Sequence, residues 1–210
     1  MNTTKKTFFY LFALMCLASF AEPVMAEKPV IQISSNNEQA AVNFIKSTAE
    51  KGLTFLSQPN STEAQKKAEF KTLLNNSFDM DSIAKFSLGR YWNVANASQQ
   101  KEYVGLFKKM IVSVYTQRFG DYKGQKFEVK LARPVGNGDV LVMSHIVPTD
   151  GSDSIQVDWR VRSKNGTLKI VDVMVAGVSM SVTQRSDFSA VIQRGGGTID
   201  VLISHLKQKS

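Results

Sequence analysis

Thiol and imidazole chemistry is nearly missing from this chain. Its 210 residues include one cysteine, Cys16, and two histidines, His145 and His205. A single cysteine cannot close an intrachain disulfide, so the fold has to be held by its core. There is no His-Glu-x-x-His run, no cysteine pair and no set of carboxylates at ligand spacing, so the sequence offers no metal site. Internal repeats, low-complexity linkers and long blocks of like charge are also lacking, which excludes a repeat solenoid and a polybasic arm. What the chain has instead is apolar surface, 43% of its residues, and a net charge of +8. That composition and length fit one sizeable core and a single soluble domain.

The N-terminus has to be set aside before the fold is read. Lys5 and Lys6 precede an almost wholly apolar run from Phe8 to Phe20, and Val24-Met25-Ala26 places short side chains at a cleavage position. These are the three parts of a secretory signal peptide over residues 1–26. The apolar run is shorter than the roughly 20 residues of a membrane span. Met15, not a small residue, precedes Cys16, so lipidation at that cysteine is not expected. Cleavage after Ala26 removes Lys5, Lys6 and Glu22, which lowers the net charge by one, and leaves a mature chain without cysteine. Positive charge favours anionic partners, and export makes nucleic acid a poor one, leaving lipid head groups and acidic proteins. Arg90, Lys108, Lys109, Arg118 and Lys123 are candidates for such contacts beside their ordinary reading as solvated surface.

Residues 27–37 are polar and aperiodic and read as a flexible N-terminal segment. From Glu38 to Ser57, Ala41, Phe44, Ile45, Ala49, Leu53 and Leu56 recur at helical spacing, and Pro59 ends that helix. Asn60 or Ser61 is expected to cap a second helix with Phe70, Leu73, Leu74 and Phe78 on one stripe. A third is expected from Asp81 to Leu88, stopped by Gly89, and a long fourth capped by Ser98. The fourth carries two apolar rows, Tyr103, Phe107, Met110, Val114 and Val104, Ile111, Tyr115, Phe119, which predicts a central position.

At Lys126 the period changes to two. Phe127, Val129 and Leu131 alternate with charged residues, Gly136-Asn-Gly138 turns the chain, and Val140 to Val147 is apolar on both faces. Ile155, Val157, Trp159 and Val161 alternate again, Asn165-Gly166 signals a tight hairpin, and Leu168 to Val178 is the last predicted strand. Two helices, Arg185 to Arg194 and Thr198 to Lys207, follow on either side of Gly195-Gly-Gly197. The pattern predicts an α+β domain: helices packed on a curved four-stranded antiparallel sheet, NTF2-like or cone-like, with a helical lobe.

Gly177-Val-Ser179-Met-Ser181 looks like a nucleophile elbow but lacks the second glycine of Gly-x-Ser-x-Gly, and neither histidine is near in sequence. A serine there more often bonds the local backbone. Asp172, set among Ile170, Val171, Val173 and Met174, needs a partner if buried. Either an arginine such as Arg160 or Arg185 supplies it, or the carboxyl has a raised pKa and serves as acid/base in a small cone-fold enzyme. The two strands that are apolar on both faces supply more apolar surface than one helix layer covers, which leaves either a sheet sandwiched between helices or an apolar pocket.

Phe78-Asp-Met-Asp-Ser-Ile83, Leu88-Gly-Arg-Tyr-Trp92, Ala97-Ser-Gln-Gln100, Val157-Asp-Trp-Arg160, Asp172-Val-Met-Val-Ala-Gly-Val-Ser179 and Phe188 to Gly195 together resemble the MlaC family, the lipid-binding component of the Mla (toluene-tolerance) ABC transport system. The resemblance runs from about Glu38 to Leu206. It implies one lipid-binding domain over residues 38–210 that encloses an apolar pocket, no catalysis and no cofactor other than a bound glycerophospholipid, with hopanoid-type lipid as an alternative. It further implies a periplasmic location, maintenance of outer-membrane lipid asymmetry, and two partners: an inner-membrane ABC transporter complex with its periplasmic lipid-binding subunit, and an outer-membrane lipoprotein–porin complex. The residues it places at the pocket are Phe78, Ile83, Trp92, Phe107, Ile111, Tyr115, Val142, Val173, Val175, Val178 and Phe188.

Overall fold

Short-range hydrogen bonds set the helix ends. A computed structural model describes residues 36–209, so the leader expected over 1–26 lies outside the described residues, as does nearly all of the segment 27–37. Helix α1 (Asn36–Ser57) stops ahead of Pro59 as expected. Helix α2 (Glu63–Ser77) is capped by Thr62, not by Asn60 or Ser61: Gln65 N–H donates to Thr62 Oγ1 at 3.2 Å and Thr62 N–H to Gln65 Oε1 at 2.8 Å. The long helix α5 (Ala97–Thr116) repeats the device with Asn96 and Gln99, not Ser98. In both helices the cap forms a reciprocal box with a glutamine three positions on.

Between them, α3 (Met80–Leu88) is capped by Asp79, which accepts from Ser82 N–H at 3.0 Å, and ends at Gly89 with φ 61°. A four-residue helix α4 (Tyr91–Val94) follows, which the sequence pattern did not signal. Phe78 does not continue the stripe of α2; it is extended and forms a parallel bridge to Ile170.

The sheet is antiparallel, in the order β1 (Lys126–Val135), β2 (Asp139–Val147), β3 (Ile155–Lys164), β4 (Thr167–Val175), β5 (Val178–Ser179). The expected count was four. The predicted last strand instead breaks at Ala176-Gly177, whose φ angles are 49° and 79°, and its end folds back so that Met174 faces Ser179 and Val175 faces Val178. Asn165-Gly166, at 52° and 75°, makes the tight hairpin that was expected. Helix α6 (Met180–Arg194) begins five residues ahead of the expected Arg185, because Ser179 caps it, and α7 (Ile199–Lys209) closes the described chain.

Two hydrophobic cores result. In the first, Ala41, Val42 and Ile45 of α1 pack on Ala132, Val140, Val142, Val161 and Ile170 of the sheet. In the second, α3, α5, α6 and α7 join around Tyr103, Phe107 and Phe188, whose rings lie 5.9–6.2 Å apart, with Tyr103 Oη donating to Ala84 O at 2.9 Å. Phe78 packs against both.

Asp139, whose side chain is fully buried, receives Arg162 Nε and Nη2 at 2.8 Å each. Arg162→Ala leaves that carboxylate without its fork. Because the guanidinium side is 40% exposed, water recovers part of the loss, and the expected cost is about 2 kcal/mol in urea denaturation. A change near zero would mean that the pair adds nothing to stability. Ala176→Gly removes a β-carbon from a left-handed position and is expected to stabilise the fold by about 1 kcal/mol in the same measurement.

Candidate functional site

Strand parity gives the sheet one apolar face. The pairings Ala132↔Val142, Val142↔Trp159 and Trp159↔Val173 put these side chains on one side together with Phe127, Val129, Val140, Val157, Val161 and Val175. Ser144 is the one hydroxyl in the middle of this face, and its polarity is spent locally: it donates to Val157 O at 2.6 Å and accepts from Trp159 Nε1 at 2.9 Å. The indole thereby loses its only polar handle to the sheet and presents an apolar ring, 6.2 Å from that of Phe127. Helix α1 covers the end of the face around Val140, Val142 and Ala132. Phe127, Val129, Trp159, Leu168 and Val173 stay only partly buried.

The helical layer offers a matching set. Phe70, Ile83, Trp92 and Ile111 are partly buried against the second core. Phe70 and Phe119 meet at 5.5 Å, Phe55 and Phe119 at 5.7 Å, and Phe70 and Tyr115 at 6.2 Å. Tyr115 is 45% exposed, yet burial raises the pKa of its hydroxyl.

The sequence-predicted lining residues therefore divide. Ile83, Trp92, Ile111 and Tyr115 belong to the helical layer with accessible surface, Val173, Val175 and Val178 to the β4–β5 end of the sheet, and Phe78 to the junction of both cores. Phe107, Val142 and Phe188 are at most 3% exposed and serve as packing. The aromatic group of Phe55, Phe70 and Phe119, and the pair Phe127 and Trp159, were not among the expected residues. The period-two pattern of β1 and β3 does carry the second signal, since it puts Phe127 and Trp159 on the inner side.

Two clefts are open on the described residues, and neither is the expected enclosed apolar pocket. One, of about 340 Å³, lies beside Phe78 and is rimmed by Asp79, Asp81, Lys108, Arg162, Lys164 and Lys169. The other, of about 440 Å³, runs along α1 and is lined by Ser47, Glu50, Lys51 and Gln58 among others. No group of His, Cys, Asp or Glu that could hold a metal is present among the described residues, and no helix there is long and apolar enough to cross a membrane.

Asp172 lies on the opposite, mixed face. Its partner is neither Arg160 nor Arg185: Ser179 Oγ donates to Oδ2 at 2.6 Å, and Ser181 N–H and Val173 N–H donate to Oδ1 at 3.2 and 2.9 Å. The β4–β5 turn brings these short-range donors to the carboxylate. Arg160, although directly across the ladder, makes no hydrogen bond through Nε, and Arg185 lies over the ring of Phe86. Ser179 Oγ also accepts from Val182 N–H at 3.1 Å as a helix cap. Its proton goes to a carboxylate and its lone pair to a backbone amide, so it is held as a clasp and has no imidazole to activate it.

The sequence profile of the MlaC protein family matches residues 46–208. The intermembrane phospholipid transport system binding protein MlaC of Haemophilus influenzae is 26% identical over 126 residues, which is 59% of this chain and 58% of that relative, so the chain spans somewhat over half of the relative's length. A phospholipid-binding protein from Ralstonia solanacearum, solved in complex with a phospholipid, superposes with a TM-score of 0.68 over 80% of this chain and 94% of that one, at 21% identity. That similarity is one of fold.

Asp172→Asn tests the clasp. The neutral amide weakens three hydrogen bonds to the acceptor, and an unfolding free energy lower by about 1–2 kcal/mol is expected in urea denaturation. An unchanged value would mean that the clasp adds nothing to stability.

Proposed function

The chain belongs to the MlaC family, and from that premise we propose that it is a periplasmic phospholipid carrier whose apolar sheet face and facing helical residues shield acyl chains. The observation that carries this reading is the sheet face itself. Its buried hydroxyl and its indole N–H satisfy each other, while Phe127, Val129, Trp159 and Val173 keep accessible apolar surface. A protein that used this face only as core would bury it. The proposed lining comprises Ile83, Trp92, Ile111, Tyr115, Val173, Val175 and Val178, with Phe78 where the two walls meet and Phe107, Val142 and Phe188 behind them.

Burial is the whole of the chemistry required. Each methylene exposed to water costs about 0.8 kcal/mol, so an acyl chain of roughly fifteen carbons faces a barrier near 12 kcal/mol in leaving a bilayer unaided. An apolar wall removes most of that barrier and leaves the charged head group in water, with no bond made or broken. The family name of the Haemophilus relative and the phospholipid bound by the Ralstonia protein support a glycerophospholipid as cargo. On this reading the leader over 1–26 directs a single domain, residues 38–210, to the periplasm. There it takes lipid between an outer-membrane lipoprotein–porin complex and an inner-membrane ABC transporter with its own periplasmic lipid-binding subunit, in the service of outer-membrane asymmetry. The acid/base alternative at Asp172 has lost its support, since that carboxylate is occupied by the β4–β5 clasp.

The test is native mass spectrometry of the protein purified from the periplasm without detergent. Wild type is expected to carry a mass excess that extracts as phospholipid. Val173→Glu, which puts a charge on the apolar wall at the edge of the core, is expected to lower occupancy at least about tenfold, a factor worth only ~1.4 kcal/mol. A bare wild-type mass, unchanged after incubation with phospholipid vesicles, would overturn the reading.

A further inference from the structure

Away from the sheet, the ends of α3 and α4 and the first turns of α6 form a surface of unusual composition. Three of the large apolar residues that the fold leaves most exposed are here: Phe86 at 44%, Val94 at 77% and Val182 at 51%. Three cations are interleaved with them, each over an aromatic ring. Arg185 Cζ lies 5.4 Å from the ring centre of Phe86, Arg90 Cζ 5.0 Å from that of Tyr91, and Lys85 Nζ 5.6 Å from that of Trp92. The groups are contiguous. Lys85 and Phe86 are neighbours on α3, Val182 stands one turn before Arg185 on α6, and Trp92 and Val94 share α4. Gly89 is part of the arrangement: a β-carbon there would stand 2.7 Å from Arg185 Nε, so the glycine makes the space in which that arginine lies.

None of the three cations is paired with a carboxylate in the ion pairs of the described residues. The nearest acidic positions in sequence do not serve them. Asp81, one turn before Lys85, is bound to Lys108 at 2.8 Å, and Asp187, two residues after Arg185, points round the other side of the helix. The surface thus combines uncompensated positive charge with accessible apolar area, which single exposed residues or ordinary solvated lysines do not.

We propose that this surface docks a protein partner through a patch that is acidic and partly apolar. It rests on the carrier reading only in that a carrier needs partners to load and unload it. Charge sign fixes the partner's chemistry: three unpaired cations call for carboxylates. The form of the patch favours a protein over a bilayer. Membrane-seeking surfaces project Trp, Phe and Leu among the acyl chains, whereas here Arg185 lies over the ring of Phe86, and the most exposed residues, Val94 and Val182, are short and branched. Arginine beside aromatic rings is instead enriched at protein interfaces.

The experiment places the photo-crosslinking residue p-benzoylphenylalanine at Val94 of the full chain in intact cells, with and without Lys85→Glu, Arg90→Glu and Arg185→Glu together. The expected result is a protein crosslink that maps to an Asp- or Glu-bearing surface of its target. It should fall at least about tenfold on charge reversal and return when those target carboxylates are exchanged for lysine. Lys85→Gln with Arg185→Gln is the milder pair should the triple reversal fail to fold, and a several-fold loss is expected from it. Bound phospholipid, measured on the same variants, should stay at the wild-type level, so failure of the docking idea is separable from failure of the carrier reading. A crosslink indifferent to charge reversal overturns the proposal. So does charge-dependent binding to vesicles of phosphatidylethanolamine and phosphatidylglycerol without a protein crosslink.

Discussion

The joint at Ser77–Asp79 decides how the helices lie on the sheet. Within it one helix ends, the chain pairs with a strand and the next helix begins. Strand β4 supplies most of its fixed points: Lys169 Nζ donates to the terminal carbonyls of α2 at Asn75 and Asn76, Ile170 forms the bridge with Phe78, and Asp79 N–H donates to Ile170 O at 2.9 Å. The lysine satisfies carbonyls that a helix end leaves without partners. Asp79 then caps α3, and Lys164 and Arg162 of the β3 side help to hold its carboxyl below the usual range, after the Ser82 hydrogen bonds and against a larger opposing effect of burial. Phe78 is thereby aimed into both cores at once. The two hydrophobic cores consequently share one ring.

That hinge-like meeting explains the unequal chemistry of the two sheet faces. The face toward α1 is apolar because its one central hydroxyl is consumed by Trp159 and a strand carbonyl. The other face collects the charged groups: Asp139 with Arg162, Asp172 with Ser179, and Asp158, whose pKa burial raises despite hydrogen bonds from Gln156. The Asp139–Arg162 pair ties β2 to β3 and the Asp172 hydrogen bonds tie β4 to α6, while the apolar face packs on α1 at one end and stays partly uncovered around Phe127, Trp159 and Val173.

Much of this was legible in the amino-acid sequence, and the failures share causes. Period-two alternation in β1 and β3 and the Asn165-Gly166 turn gave strands and hairpin nearly as they stand, because alternation and left-handed turn residues are local signals. The cap positions of α2 and α5 were misplaced for lack of weight on the glutamine three residues on, which is what makes Thr62 and Asn96 better caps than their neighbours. The expected strand Leu168 to Val178 ran two residues past the break at Ala176-Gly177, because alanine is a poor candidate for φ 49°. From that one turn follow the fifth strand, the early start of α6 and the partners of Asp172. Apolar residues of α5 and α6 such as Phe107 and Phe188 could not be told from a pocket lining, since a core and a ligand wall draw on the same side chains. The distinction lies in which of them keep surface, and that is a property of the packed fold.

Release sets the last constraint on a carrier of this kind. If one acyl chain gains near 12 kcal/mol by entering the protein, a rigid, preformed cavity would hold it too tightly to give it up, because the vacated wall would have to meet water. A wall whose residues can close on one another recovers part of that burial as the lipid leaves. On the carrier reading, the aromatic group of Phe55, Phe70, Tyr115 and Phe119 is suited to such closure, since its edge-to-face contacts at 5.5 and 5.7 Å and its tilted one at 6.2 Å are favourable in themselves. On that reading, an apolar wall that closes on itself lets the fold give up its cargo without leaving that wall in water.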